Sequence, residues 1–273
     1  MLVCCHMKVF LQSLAFTCLL ALSSFVAHAE PQPRVNVPMP STKDQDAMAT
    51  RIWMNECSGS QEGLVSWNDG EAFPSMGIGH FIWYPAGKKD RFEESFPAFI
   101  AFAKKKEVDV PDYFKGGSPW GSKAAFLADK SDRPAKMRRW LATHIRLQAE
   151  FMIERSRASL PALVKAAKSP RAVHQRYMAL AKTAQGTYCL VDYVNFKGEG
   201  LNPSERYNDQ GWGLLQVLEE MVGIPEPEAA PAEFSKAAAK VLRRRVDNCP
   251  NDRNEKQWLA GWLNRCKSYG RAK

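Results

Sequence analysis

Apolar residues recur at helical spacing along most of the chain. Met48, Ile52 and Trp53, with Met54 beside them, lie largely on one face and predict a helix over 44–56, with Ser41-Thr42 as its cap and Gly59 as its stop. Phe96, Phe99, Ile100 and Ala103 predict another over 93–106. Met137, Trp140, Leu141, His144, Ile145, Gln148, Phe151 and Met152 form one stripe. They predict a long helix opened by Pro134 and running to about Ser156. Further helices are expected over 160–168, 171–182, 184–196, 234–246 and 254–267, and over 205–222 with interruptions at Gly211 and Gly213.

One segment, 62–84, has a different rhythm. Residues 64–67 read as a short strand, Asn68-Asp69-Gly70 as a turn, and Met76-Gly77-Ile78-Gly79 as a second strand whose glycines admit a close neighbour. The expected fold class is therefore α+β: a mostly helical domain with one small β-hairpin beside the helix that ends at Glu56. Residues 107–121 and 197–203 read as loops, and 225–231 as a Pro/Glu/Ala linker. There is no internal repeat and no boundary stronger than the 225–231 linker, so a single domain over 44–273 is expected.

The first residues change the picture of where this domain works. Lys8, an apolar run over 9–27 and then Ala27-His28-Ala29 read as a signal peptide over 1–29. Residues 30–43, with four prolines, read as a disordered leader. A periplasmic or secreted location follows, with no stable membrane anchor after cleavage. The chain has 273 residues and a formal charge of +9, from 38 Lys+Arg against 29 Asp+Glu. In that compartment the excess suits an anionic envelope polymer. Nucleic acid is not an expected partner, and no Lys/Arg block marks a nucleic-acid tail. Cys57, Cys189, Cys249 and Cys266 remain after removal of the signal peptide. Four cysteines in an oxidising compartment allow two disulfides; Cys249–Cys266 closes a short loop and leaves Cys57–Cys189, with free buried thiols as the alternative. No Cys/His spacing suggests a metal, no nucleotide fingerprint suggests a cofactor, and no Gly-x-Ser-x-Gly elbow is present.

The candidate chemistry lies around Glu56. Its neighbours Trp53, Met54 and Cys57 are apolar, a setting that keeps a carboxylic acid protonated, while Asp69 in its turn would be solvated and ionised. Two carboxyl groups in unlike settings are what glycoside hydrolysis uses, and the Ser75 hydroxyl could hold a water.

Asn55-Glu56, followed by the run from Trp67 to His80 that ends Gly77-Ile78-Gly79-His80, resembles the catalytic helix and hairpin of phage-type lysozymes. The resemblance implies Glu56 as general acid, Asp69 as second carboxylate, and Ser75 where that family has a water-positioning Thr. It implies that Gly77 and Gly79 serve close packing and that His80 is a structural hydrogen-bonding residue. The segment between Glu56 and the hairpin is longer than in that family. Glu71, on the same strand face as Asp69, stands as the other candidate. The run from Leu190 to Gly200 resembles the helix-to-loop segment that faces the cleft in lysozyme-like folds. On that resemblance Asn195, Glu199 and Gln210 are candidates to hydrogen-bond a sugar. Trp83, Tyr84, Tyr193 and Tyr207 are candidates to stack on one, with plain packing as the alternative for Tyr193 and Tyr207. Gly261-Trp262-Leu263-Asn264-Arg265 resembles a further helix of the same lysozymes and reads as core. The implied activity is a muramidase acting on peptidoglycan or a related amino-sugar polymer. A lytic transglycosylase using Glu56 alone, a chitosanase-like enzyme and a non-catalytic envelope-binding protein are the alternatives. Residues 85–180 have no assigned role.

Overall fold

In the computed structural model, which describes residues 36–90 and 92–271, the first helix begins where its cap is encoded. Ser41 accepts a hydrogen bond from the Asp44 amide, and α1 runs Thr42–Cys57. It ends at Ser58, which takes the left-handed conformation at φ 51°, one residue before Gly59 does the same at φ 69°. The predicted signal peptide and most of the leader lie outside the described residues. The described end of the leader is not loose: Val37 is buried and its carbonyl accepts a 2.6 Å hydrogen bond from Arg157.

The hairpin is a three-stranded antiparallel sheet of very short strands, in order β1 (Val65–Ser66), β2 (Ser75–Met76) and β3 (Phe81–Ile82). The second strand expected over 76–79 stops at Met76: Gly77 sits at the turn between β2 and β3 with φ 69°, and a Cβ there would lie 2.1 Å from the Gln148 Oε1 atom. That oxygen instead accepts a 2.8 Å hydrogen bond from the Ile78 amide, while the Gln148 Nε2 donates to the Leu141 carbonyl at 2.7 Å. Glycine is thus required both by φ and by the approach of a fully buried amide. At Gly79 a Cβ would meet the Phe81 ring at 2.4 Å, so both glycines serve close packing.

Helices follow: α2 (Phe96–Lys105), α3 (Lys123–Ala128), α4 (Arg133–Thr143), α5 (Ile145–Ala166), α6 (Pro170–Ala181) and α7 (Ala184–Lys197). The long helix expected from Pro134 is in fact two. The break falls at His144, φ −121°, whose Nδ1 lies 2.7 Å from the Trp140 carbonyl, and α5 then continues past Ser156 to absorb the helix expected over 160–168. A second two-stranded hairpin was hidden in the segment read as an interrupted helix: β4 (Arg206–Tyr207) and β5 (Gln210–Gly211), joined through Asn208 and Asp209, both at positive φ. Two successive left-handed residues make the turn that suits strand twist. Then come α8 (Leu214–Glu220), α9 (Ala230–Asp247) and α10 (Leu259–Tyr269). The fold is a mostly helical α+β arrangement with small antiparallel hairpins, and the described residues from Val37 onward pack as one compact unit.

Two aromatic clusters hold it. Phe81, Trp83, Phe96, Phe99, Phe114 and Phe151 stack between β3, α2 and α5. Tyr193, Phe234 and Tyr269 join α7 to α9 and α10. α7 is the axis, with every residue from Gly186 to Tyr193 buried. None of the four described cysteines forms a disulfide, because each thiol faces a different partner. Cys57 Sγ lies 3.7 Å from the His80 Nε2, Cys189 donates toward the Tyr269 carbonyl, Cys249 turns to Arg253 in its own loop, and Cys266 is buried on α10.

Candidate functional site

Glu56 is in the last turn of α1, and its side chain is 15% exposed. Its surroundings differ from the apolar pocket expected. Oε1 accepts a hydrogen bond from Arg265 Nη2, and Oε2 lies 3.9 Å from His80 Nδ1. Arg265, read from sequence as core, comes from α10 and is gripped from its other side by Asp192 of α7. Its Nε and Nη2 donate to Asp192 Oδ2 and Oδ1, both at 2.8 Å. Asp192 is fully buried and also accepts from the Tyr269 hydroxyl at 2.7 Å. Asn55 donates to the Tyr188 hydroxyl at 2.8 Å and reaches Asp192 at 3.4 Å. Burial opposes the charge of Arg265, but Asp192 and then Glu56 outweigh it and hold the guanidinium firmly protonated. The same desolvation lifts the Tyr269 hydroxyl, with Asp192 adding to it. The cluster therefore fixes the Glu56 carboxyl rigidly against three helices.

His80 connects Glu56 to open space. It sits at φ 47° after Gly79 and lines a cleft of about 490 Å³. The cleft is lined by Met152 of α5, by Val191, Val194 and Asn195 of α7, and by the loop Gly198-Glu199-Gly200. Both glycines of that loop have positive φ, 79° and 80°, and a Cβ on Gly200 would lie 2.1 Å from Gln216 Oε1. Gln216 bridges the structure behind: it accepts from the Gly213 amide at 2.9 Å and donates to the Gly200 carbonyl at 3.1 Å. Glu199 is thus presented on a stiff loop backed by α8. Among the described residues its carboxyl makes no hydrogen bond or salt bridge, and burial pushes its pKa up against the pull of Arg155, with Glu93 adding to the rise.

The other sequence candidates are dispersed. Asp69 is fully exposed and bound to Lys123 of α3 at 2.6 Å; that hydrogen bond, then the lysine charge, holds its carboxyl below the usual range. Glu71 accepts from Asn68 at 3.1 Å. Ser75 is buried within the sheet, paired with Ser66 and Ile82. None of the three lines the cleft. Trp83 and Tyr193 have no exposed surface, and their polar atoms are spent on the Gly116 and Trp212 carbonyls. Tyr84 is 3% exposed and packs on Phe73. These three rings are core and offer no face to a sugar. Tyr207 is also covered, its hydroxyl bound to Glu255, though its edge reaches a neighbouring pocket. Gln210 is exposed at the β4–β5 turn, outside the cleft. Asn195 and Glu199 are the two sugar-contact candidates that line it.

Sequence reasoning missed Asp192 and the role of Arg265. An acid inside the apolar run Cys189-Leu190-Val191-Asp192-Tyr193-Val194 was the available signal, since a buried carboxylate demands a cation. Cys57 is no nucleophile: burial, with Glu56 beside it, pushes its thiol up to about 11. No protein-family model, curated protein or solved structure matches the chain.

Proposed function

We propose that the chain is an exported, lysozyme-like glycoside hydrolase that cleaves peptidoglycan or a related amino-sugar polymer, with Glu56 as its proton donor. The observation that carries this reading is the junction at His80. Glu56 Oε2, the oxygen not bound to Arg265, lies 3.9 Å from His80, which lines a cleft that Glu93, Glu199 and Glu205 also line. Glu56 gives its proton to the glycosidic oxygen. The anchored guanidinium at Oε1 keeps the carboxyl in place as charge builds on it. Glu199 takes the second-carboxylate role in preference to Asp69 or Glu71, which are engaged with Lys123 and Asn68. Burial makes Glu199 a stronger base than an exposed carboxylate, and it draws a proton from the attacking water. Asn195 supplies a hydrogen bond to the sugar in the same cleft.

Purified peptidoglycan tests this. Glu56→Gln should lower the release of muropeptides by about 10²–10⁴-fold while the variant stays folded. Full activity in that variant would refute the assignment. The engagement of Asp69 and Glu71 outside the cleft favours a second reading, a lytic transglycosylase using Glu56 alone. Mass spectrometry of the products separates the two. Reducing ends, lost in Glu199→Gln, mark the hydrolase; anhydro-muramyl ends, retained in Glu199→Gln, mark the transglycosylase.

A further inference from the structure

The cleft continues past Gly198 into a second hollow of about 470 Å³, which shares Phe92, Gly198, Asn202 and Glu205 with it. The two hollows differ in chemistry. The second is walled by the rings of Phe196, Tyr207 and Trp212 and contains Lys197, Arg245 and Arg253. Arg245 is spent: its Nε and Nη2 hold both oxygens of the buried Glu255 at 2.7 and 2.6 Å, and its guanidinium stacks 4.0 Å over Trp212. Arg253 uses one nitrogen on the Tyr207 hydroxyl at 3.2 Å and is otherwise exposed. Lys197, the last residue of α7, makes no hydrogen bond or salt bridge among the described residues. Its ammonium lies 3.5 Å over the Trp262 ring and 4.1 Å over Phe196. Two cations thus line the hollow with no salt bridge among the described residues; Glu205 lines it too, and the Glu255 charge, already paired with Arg245, acts on both.

We propose that this hollow is a subsite for a carboxylate carried by the polymer, held by Lys197 and Arg253, with the Tyr207 and Trp212 rings against the stem that bears it. The inference rests on the reading of the neighbouring cleft as the site of a polymer strand. A strand in the cleft and its charged substituent then occupy one continuous trough. A carboxylate there makes charge-assisted hydrogen bonds to groups already fixed by aromatic packing. It also relieves the ammonium. Burial pushes Lys197 down to about 7, with Arg245 and Arg265 pulling the same way and Glu255 and Cys266 opposing. The charged, anion-binding form therefore dominates below about pH 7. Carboxylate affinity is present there and is lost as pH rises through that value.

Calorimetric binding of a disaccharide-peptide muropeptide, compared with the same muropeptide with its carboxylates capped as amides, tests the subsite without relying on turnover. The native muropeptide should bind at least about tenfold more tightly at pH 6. Lys197→Met, which keeps the stem over Trp262, and Arg253→Ala at the exposed rim should each remove most of that advantage. Both should leave binding of neutral chitotetraose unchanged. The advantage should shrink by pH 8 in the wild-type protein. Equal binding of native and capped forms, or an undiminished advantage in both variants, overturns the subsite. The two readings fail separately. Tight, carboxylate-dependent binding with no cleavage sinks the hydrolase and leaves the subsite standing; cleavage of both forms with equal KM sinks the subsite and leaves the hydrolase.

Discussion

Arg265 does more than any other single side chain in the region of Glu56. It neutralises a fully buried aspartate, holds the Glu56 carboxyl beside His80, and packs 4.4 Å over Phe196. Removing one partner of such a pair leaves the other as an uncompensated buried charge, which costs about 3–5 kcal/mol. Arg265→Met should destabilise the fold by that amount in urea titration. Asp192→Asn added to it should recover part of the loss, because the orphaned charge goes with it. If the single variant unfolds at the wild-type midpoint, the cluster is not a structural anchor. This residue was legible only as helix: its spacing fits α10, but its two acids lie 73 and 209 positions away. Glu56 was legible as a candidate from the motif around it. Its polar, ion-paired setting was not, because the apolar neighbours in sequence point elsewhere once α1 is packed.

At the scale of elements, the loop Gly198-Glu199-Gly200 and the first turn of α8 form one unit. A Cβ on Gly213 would fall 2.1 Å from the Gly200 amide nitrogen, a backbone contact that no rotamer change relieves. Gly213→Ala should push the Glu199 loop away from α8. A loss of muropeptide affinity of about tenfold, with a drop in stability of about 1–3 kcal/mol, is the expected result. Unchanged affinity would show that the loop does not shape the cleft. Sequence patterning found most helices because amphipathic periodicity is a local property. It merged α4 with α5, since a stripe does not register a local break at His144. It also mistook β4–β5 for helix, since two-residue strands are too short to alternate.

For the whole molecule, the compartment and the cysteines bear on each other. Among the described residues no helix is long and apolar enough to cross a membrane, and the sequence is basic at +9. Export was inferred together with two disulfides, yet all four described cysteines are free. Burial disfavours the thiolate of three of them: it pushes Cys57 up to about 11, Cys266 up to about 12, and Cys189 well above its ordinary value. Peptide mapping under non-reducing conditions should recover Cys57, Cys189, Cys249 and Cys266 as alkylatable thiols after denaturation. A Cys57–Cys189 or Cys249–Cys266 linked peptide would contradict the packing described.

The amino-acid order alone determined the helical content, the cap at Ser41 and the basic charge. Each depends on neighbours within a few residues or on a simple sum. The tertiary structure alone decided which acids line the cleft. Asp69 and Glu71, near Glu56 in the motif, turn to Lys123 and Asn68. Glu199, far away in the chain, shares the cleft with His80. It also decided that Trp83, Tyr84 and Tyr193 are core. Whether a ring is covered, or a carboxylate finds a cation, depends on what long-range packing brings against it, and that information is spread over the whole chain.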